Sequence, residues 1–97
     1  MEEILERIAI WASHGTLAQF RTEIDGYIKK EGYDSEVQGD ELLFYRPRKA
    51  GGFLGIGAKT IKEPVMKISR TEGTVRVLPE PLDEEFAHYL NSCLRQH

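Results

Sequence analysis

Seven cations fall between positions 46 and 70 of this 97-residue chain: Arg46, Arg48, Lys49, Lys59, Lys62, Lys67 and Arg70, against one acid, Glu63. Arginine and lysine at that density suit one task above others, the holding of phosphate or carboxylate oxygens. At the centre of the run stands Gly51-Gly52-Phe53-Leu54-Gly55-Ile56-Gly57, four glycines interleaved with three large apolar side chains. Glycine lets a backbone turn tightly and approach a ligand closely, leaving N–H groups free to meet an anion. The segment nets +6, whereas residues 1–45 net −6 and residues 71–97 net −3. A basic, glycine-rich, apolar segment on an acidic chain marks an interaction surface. The candidate binding residues are Arg46, Arg48, Lys49, Gly52, Phe53, Leu54, Gly55, Ile56, Gly57, Lys59 and Lys62.

Other chemistry finds less support. The run Gly52 to Lys59 resembles a nucleotide phosphate loop, but Ala58 separates Gly57 from Lys59, where that motif puts lysine directly after glycine. The adjoining residues Ile61-Lys62-Glu63-Pro64 are strand-like, so no helix N-terminus starts there to receive a phosphate. Cys93 and His97 lie four apart, with His88 five before the cysteine; a tetrahedral zinc site needs about four ligands, and His14 is the one further strong donor. The expectation is a buried Cys93 beside solvent-facing histidines. Glu2-Glu3 and Glu84-Glu85 sit in first helical turns, where the helix dipole accounts for them. No catalytic residue, metal or cofactor is expected, and the protein is expected not to be an enzyme.

The elements that must carry these residues emerge from periodicity. Ile4, Ile8 and Trp11 fall at helical spacing, and Ser13-His14-Gly15 interrupts them. Thr16-Leu17-Ala18-Gln19 reads as a capping box that opens a second helix through Leu17, Phe20, Ile24, Tyr27 and Ile28, ended by Gly32. The spacing predicts helices over about 2–13 and 16–31, or one kinked helix. From Tyr33 the period becomes 2. Val37, the Gly39-Asp40 turn and Leu42 to Tyr45 form a hairpin, with Pro47 stopping its second strand. A third strand runs from Ile61 to Ser69, where Pro64 marks an edge or a bulge. Thr74 to Leu78 is the fourth, with Val75 and Val77 inward and Pro79 and Pro81 in the connection after it. Asp83 caps a last helix bearing Phe86, Tyr89, Leu90, Cys93 and Leu94 on one face. The fold class is α+β: two N-terminal helices, a four-stranded antiparallel meander and a C-terminal helix, in a single domain over 1–97. The expected core is Leu17, Phe20, Ile24, Ile28, Val75, Val77, Phe86 and Leu90.

The chain is 40% hydrophobic and 30% charged, too apolar for disorder. No apolar run approaches the roughly 20 residues that span a bilayer, so no membrane partner is expected. An acidic Met1-Glu2-Glu3 start is unlike a secretory signal, and one cysteine fits a reducing compartment. The expected location is cytoplasmic.

The loop also carries a resemblance. Lys49-Ala50-Gly51-Gly52-Phe53-Leu54-Gly55-Ile56-Gly57-Ala58-Lys59 is similar to the signature of the Jag-type N-terminal domain, a module that precedes KH-type RNA-binding domains in bacterial proteins. The order of helix, strand, glycine loop and strand is shared over residues 20–69, about half the chain. The resemblance implies that Gly52, Phe53, Leu54, Gly55, Ile56, Gly57 and Lys59 form the shared surface, and it implies no activity. A weaker similarity links Phe20 to Tyr45, with Tyr27-Ile28-Lys29-Lys30-Glu31-Gly32-Tyr33, to the start of YbjN-like proteins and type III secretion chaperones, small acidic dimers that bind other proteins. Two functions are therefore expected in competition. In one, the basic loop docks RNA or an acidic protein surface; in the other, a chaperone-like or homodimeric subunit buries the glycine loop as a structural element.

Overall fold

The computed structural model describes residues 1–50 and 59–96. Its elements are α1 (Glu2–Ala12), α2 (Leu17–Lys30), β1 (Asp34–Gln38), β2 (Glu41–Ala50), β3 (Lys59–Thr71), β4 (Thr74–Leu82) and α3 (Glu84–Gln96). The four strands form one antiparallel sheet in the order β1-β2-β3-β4. The fold is α+β, as the change of period at Tyr33 and again at Asp83 implies.

Local chemistry sets the boundaries. The Thr16 hydroxyl accepts from the Gln19 N–H at 3.0 Å, and the Thr16 N–H donates to Gln19 Oε1 at 2.8 Å, which completes the capping box. At the other end of α2, Gly32 takes φ +84°. The Tyr33 N–H then donates to the Ile28 carbonyl and the Gly32 N–H to that of Lys29, a paired closure that needs a left-handed residue at that point. Asp83 Oδ1 accepts from the Phe86 N–H at 3.1 Å and starts α3.

The three helices cover one face of the sheet. Ile8, Trp11, Phe20, Ile24 and Ile28 meet Leu42, Phe44, Met66 and Ile68 from the strands and Phe86, Leu90 and Cys93 from α3. The Phe86 ring lies edge-on to Tyr33 at 4.7 Å and tilted against Phe44 at 5.2 Å. Leu17, Phe20, Ile24, Ile28, Phe86 and Leu90 are buried as expected, whereas Val75 and Val77 pack against the core only partly buried. Both sit on β4, an edge strand with no neighbour beyond it.

Four strand boundaries differ from expectation, the slightest being the end of β3 at Thr71 rather than Ser69. β2 does not stop at Pro47 but continues to Ala50, and β3 starts at Lys59 rather than Ile61. Proline is tolerated because β1 ends opposite Tyr45, leaving β2 with a single ladder neighbour from Arg46 onward. β4 runs on to Leu82, but its register against β3 jumps from Ile68↔Val77 to Met66↔Leu82. The stretch containing Pro79 and Pro81 therefore bulges out of the ladder, as residues that cannot donate to it must. Pro64 pairs with Tyr45 beside a register shift between Phe44 and Tyr45, so the bulge anticipated on β3 is present.

Candidate functional site

The last pairs of the β2–β3 ladder are Arg46↔Glu63, Pro47↔Lys62, Arg48↔Ile61, Lys49↔Thr60 and Ala50↔Lys59. β1 reaches only Tyr45 and β4 only Met66, so these five pairs form a two-stranded arm that stands clear of the four-stranded body. At about 3.4 Å per residue the arm is roughly 17 Å long. Its reach is visible in the dimensions of the molecule. The radius of gyration is 14.2 Å, against about 12.5 Å for a compact chain of this length.

Alternation divides the arm into two faces. Leu42 and Phe44 point to the helices, so Arg46 and Arg48, with Glu63, Ile61 and Lys59 opposite, lie on the helix side. Tyr45, Pro47 and Lys49, with Lys62 and Thr60, lie on the open side. Observed contacts agree. Arg46 donates to the Tyr33 hydroxyl at 2.6 Å with its guanidinium 4.9 Å from that ring, and Arg48 meets Glu63 at 2.9 Å. On the open side Lys62 Nζ sits 5.2 Å over the Tyr45 ring and 2.6 Å from Glu36 Oε2.

Five of the seven cations are thus engaged. Arg46 serves the core boundary, Arg48 pairs with Glu63, Lys62 with Glu36, Lys67 with Glu41 at 3.5 Å, and Arg70 donates to the Gly15 carbonyl. Among the described residues, Lys49 and Lys59 have no hydrogen-bond or ionic partner, and both are exposed. They flank residues 51–58. Gly52, Phe53, Leu54, Gly55, Ile56 and Gly57 lie outside the described residues.

Electrostatics reflect the same pairs. The Lys62 ammonium, and then the Gln38 amide, hold the Glu36 carboxyl below the ordinary glutamate range. The reciprocal hydrogen bond raises Lys62. Burial pushes the Tyr45 hydroxyl up. Leu43 and Tyr45 are only 9% and 8% exposed although they face away from the helices. Lys62 lies over the Tyr45 ring, and Lys67 is the cross-strand partner of Leu43.

A hollow of about 480 Å³ lies against the arm, lined by Arg48, Lys49, Ile61, Lys62, Glu63 and Pro64. Ile61 is 51% exposed there, an apolar side chain among charges that the sequence reading did not single out. Glu36 and Tyr33 were missed as well, because each meets its arm partner through tertiary pairing. A second hollow, of about 330 Å³, lies on the helical layer between Arg7, Ile10, Trp11, His14, Glu23 and Leu94, where Trp11 Nε1 donates to Glu23. It holds none of the candidate residues. Among the described residues no group of three His, Cys, Asp or Glu could hold a metal ion, and no helix is long and apolar enough to cross a membrane. Cys93 is buried, and His14 and His88 are exposed.

Comparison with protein-family models, curated proteins and solved structures gives no match for this chain.

Proposed function

We propose that this protein is a non-catalytic binding module that docks an anionic partner, RNA, through the basic arm and the glycine-rich residues 51–58 that join its strands. One observation carries the reading: Lys49 and Lys59, the cations nearest that segment, are exposed and lack ionic partners among the described residues, while the other five are engaged within the fold. A lysine without a carboxylate partner is the one available to a phosphate. The acidic body opposes general polyanion binding. Salt confines its field to about 8 Å at physiological ionic strength, however, and an arm roughly 17 Å long carries its end beyond that range. RNA is named rather than an acidic protein face because the module that residues 49–59 resemble stands beside RNA-binding domains; the resemblance carries no activity of its own.

The experiment is a titration of fluorescent RNA of mixed sequence at several salt concentrations, with the parent and a Lys49→Glu/Lys59→Glu variant. Binding by the parent should fall steeply with salt, and the variant should bind no RNA at moderate salt while melting within about 0.5 kcal/mol of the parent, the usual range for exposed substitutions. The competing reading, a chaperone-like or homodimeric interaction subunit, has its own support in the exposed Ile10 and Val37, the latter on the edge strand β1. Salt-insensitive self-association with no RNA binding would establish that reading instead.

A further inference from the structure

The two outer edges of the sheet are not equally open. In a two-residue hairpin the flanking pair exchanges both hydrogen bonds, and the next residue along turns its N–H and C=O outward. On β1, where Gln38 and Glu41 flank the turn, the outward residues are Val37 and Ser35. Ser35 is already closed: its N–H donates to Asp34 Oδ1 at 2.8 Å, and its carbonyl accepts from Arg21 Nε at 3.0 Å. On β4, where Thr71 and Thr74 flank the turn, the outward residues are Val75 and Val77. The N–H of Arg70, the cross-strand neighbour of Val75, points the other way to the Asp40 carbonyl at 2.9 Å, which fixes that phase. Among the described residues, no other element hydrogen-bonds to the backbone of Val75 or Val77. Pro79 and Pro81 close the rest of the edge, having no N–H to offer. Sheets commonly guard their edges, and Thr74 to Leu78 is left unguarded.

A second observation marks the same edge. Glu72, the first residue of the β3–β4 turn, has φ +52°, a left-handed conformation that Asn, Asp or Gly adopts more readily. The backbone gives no reason for glutamate there. Its carboxylate and the Arg76 guanidinium are exposed and have no ionic partner among the described residues.

We infer that β4 pairs with β4 of a second copy of this chain, antiparallel, about a two-fold axis at Val75. Register and charge select this arrangement. Centred on Arg76, the pairing would set two arginines directly opposite each other, which is unfavourable. Centred on Val77, it would bring Pro79, without an N–H, against Val75. Centred on Val75, each Val75 exchanges both hydrogen bonds with its counterpart, and Arg76 stands opposite the partner's Thr74. Arg76 then lies one diagonal step from the partner's Glu72, within reach of long side chains. Right-handed strand twist shortens that diagonal and lengthens the one between the two arginines. The two sheets run on as one, and the arms, at the end of β3 remote from the Glu72-Gly73 turn, leave in opposite directions.

The test is light scattering on the whole protein from about 1 μM to about 1 mM, a range that covers weak and moderate dimers. The parent should pass from monomer to dimer. Arg76→Glu and Glu72→Arg each turn two attractive contacts into two repulsive ones and should weaken the dimer about tenfold or more. Mixed in equal amounts, the two variants should recover a dimer containing one of each, because both contacts then join opposite charges; recovery also shows that both variants fold. By amide exchange, the Val75 and Val77 N–H groups should become protected as concentration rises. A dimer indifferent to both reversals, or no recovery on mixing, would overturn the inference. So would a monomer at every concentration: with these amides unprotected it would leave the edge to an extended segment of another protein, and with them protected it would assign the edge to residues of the same chain. Glu72 and Arg76 lie outside the arm, so none of these results decides the RNA reading, which the titration above tests separately.

Discussion

Replacing Phe86 with alanine tests the packing that supports the root of the arm. Phe86 is fully buried and stands between Tyr33 and Phe44, with ring centroids at 4.7 and 5.2 Å. Tyr33 in turn accepts the hydrogen bond from Arg46, the first residue of the arm. Truncating a buried phenylalanine costs about 3–5 kcal/mol through lost transfer energy and the cavity that remains. Two aromatic contacts, each worth roughly 0.5–1.5 kcal/mol beyond area, place this site in the upper half of that range. A domain of this size has a total stability of about 5–15 kcal/mol. At about 4–8 °C per kcal/mol, the melting temperature should fall by at least 15 °C. Phe86→Leu keeps much of the volume and should lose less than half as much. Calorimetry and urea titration measure both variants, and near-ultraviolet circular dichroism reports whether the tyrosine environment has changed. A Phe86→Ala melt within a few degrees of the parent would refute the placement of this ring, and with it the account of how Tyr33 is held under Arg46.

Three further predictions address pH and sheet edges. Burial first, and then the Cys93 thiol, push the Tyr89 hydroxyl up to about 12, and that hydroxyl donates to the Tyr27 carbonyl at 2.7 Å. Because the protonated form is favoured in the fold, its contribution is complete below the unfolded value of about 10 and is lost as pH rises toward 12. Tyr89→Phe should flatten that alkaline limb of a melting-temperature profile. Glu36, held low by Lys62, works in the opposite direction: its contribution is present above the ordinary glutamate range and lost as pH falls below it, so Glu36→Gln should flatten the acid limb. Pro47 and Pro64 interrupt the open edges of the arm, where unpaired N–H and C=O groups would otherwise recruit further strands. Pro47→Val/Pro64→Val should scatter more light than the parent at equal concentration, with little change in melting temperature; unchanged scattering would show that the prolines do not guard the edge.

Much of the fold was legible because its signals are local. The Thr16–Gln19 box, the Gly32 stop and the Asp83 cap each depend on residues within three or four positions, and each falls where the sequence puts it. The arm was hidden by a correct rule applied without its context. Proline ends a strand that has neighbours on both sides, and at Pro47 the neighbour on one side has already stopped at Asp34. The candidate site was legible as a charge run but not as a geometry. Glu36 lies 26 residues from Lys62, and Glu41 the same distance from Lys67, so neither neutralisation can be read from neighbouring positions. The seven cations therefore divide into five with structural partners and two flanking residues 51–58, a division that only the tertiary structure supplies.

Between Phe44 on β2 and Val65 on β3 no described residue belongs to the core beneath the helices. Apart from Arg46, tied to Tyr33, and Lys62, tied to Glu36, the arm is excused from holding the molecule together. Substitutions in the body are filtered by packing, where a lost methylene group is felt. Substitutions in the arm are filtered by what the arm touches and by the need to stay soluble. The two parts of the chain can consequently diverge at different rates, and a descendant with the same helices but an acidic arm would keep this architecture while exchanging its partner for a cationic one.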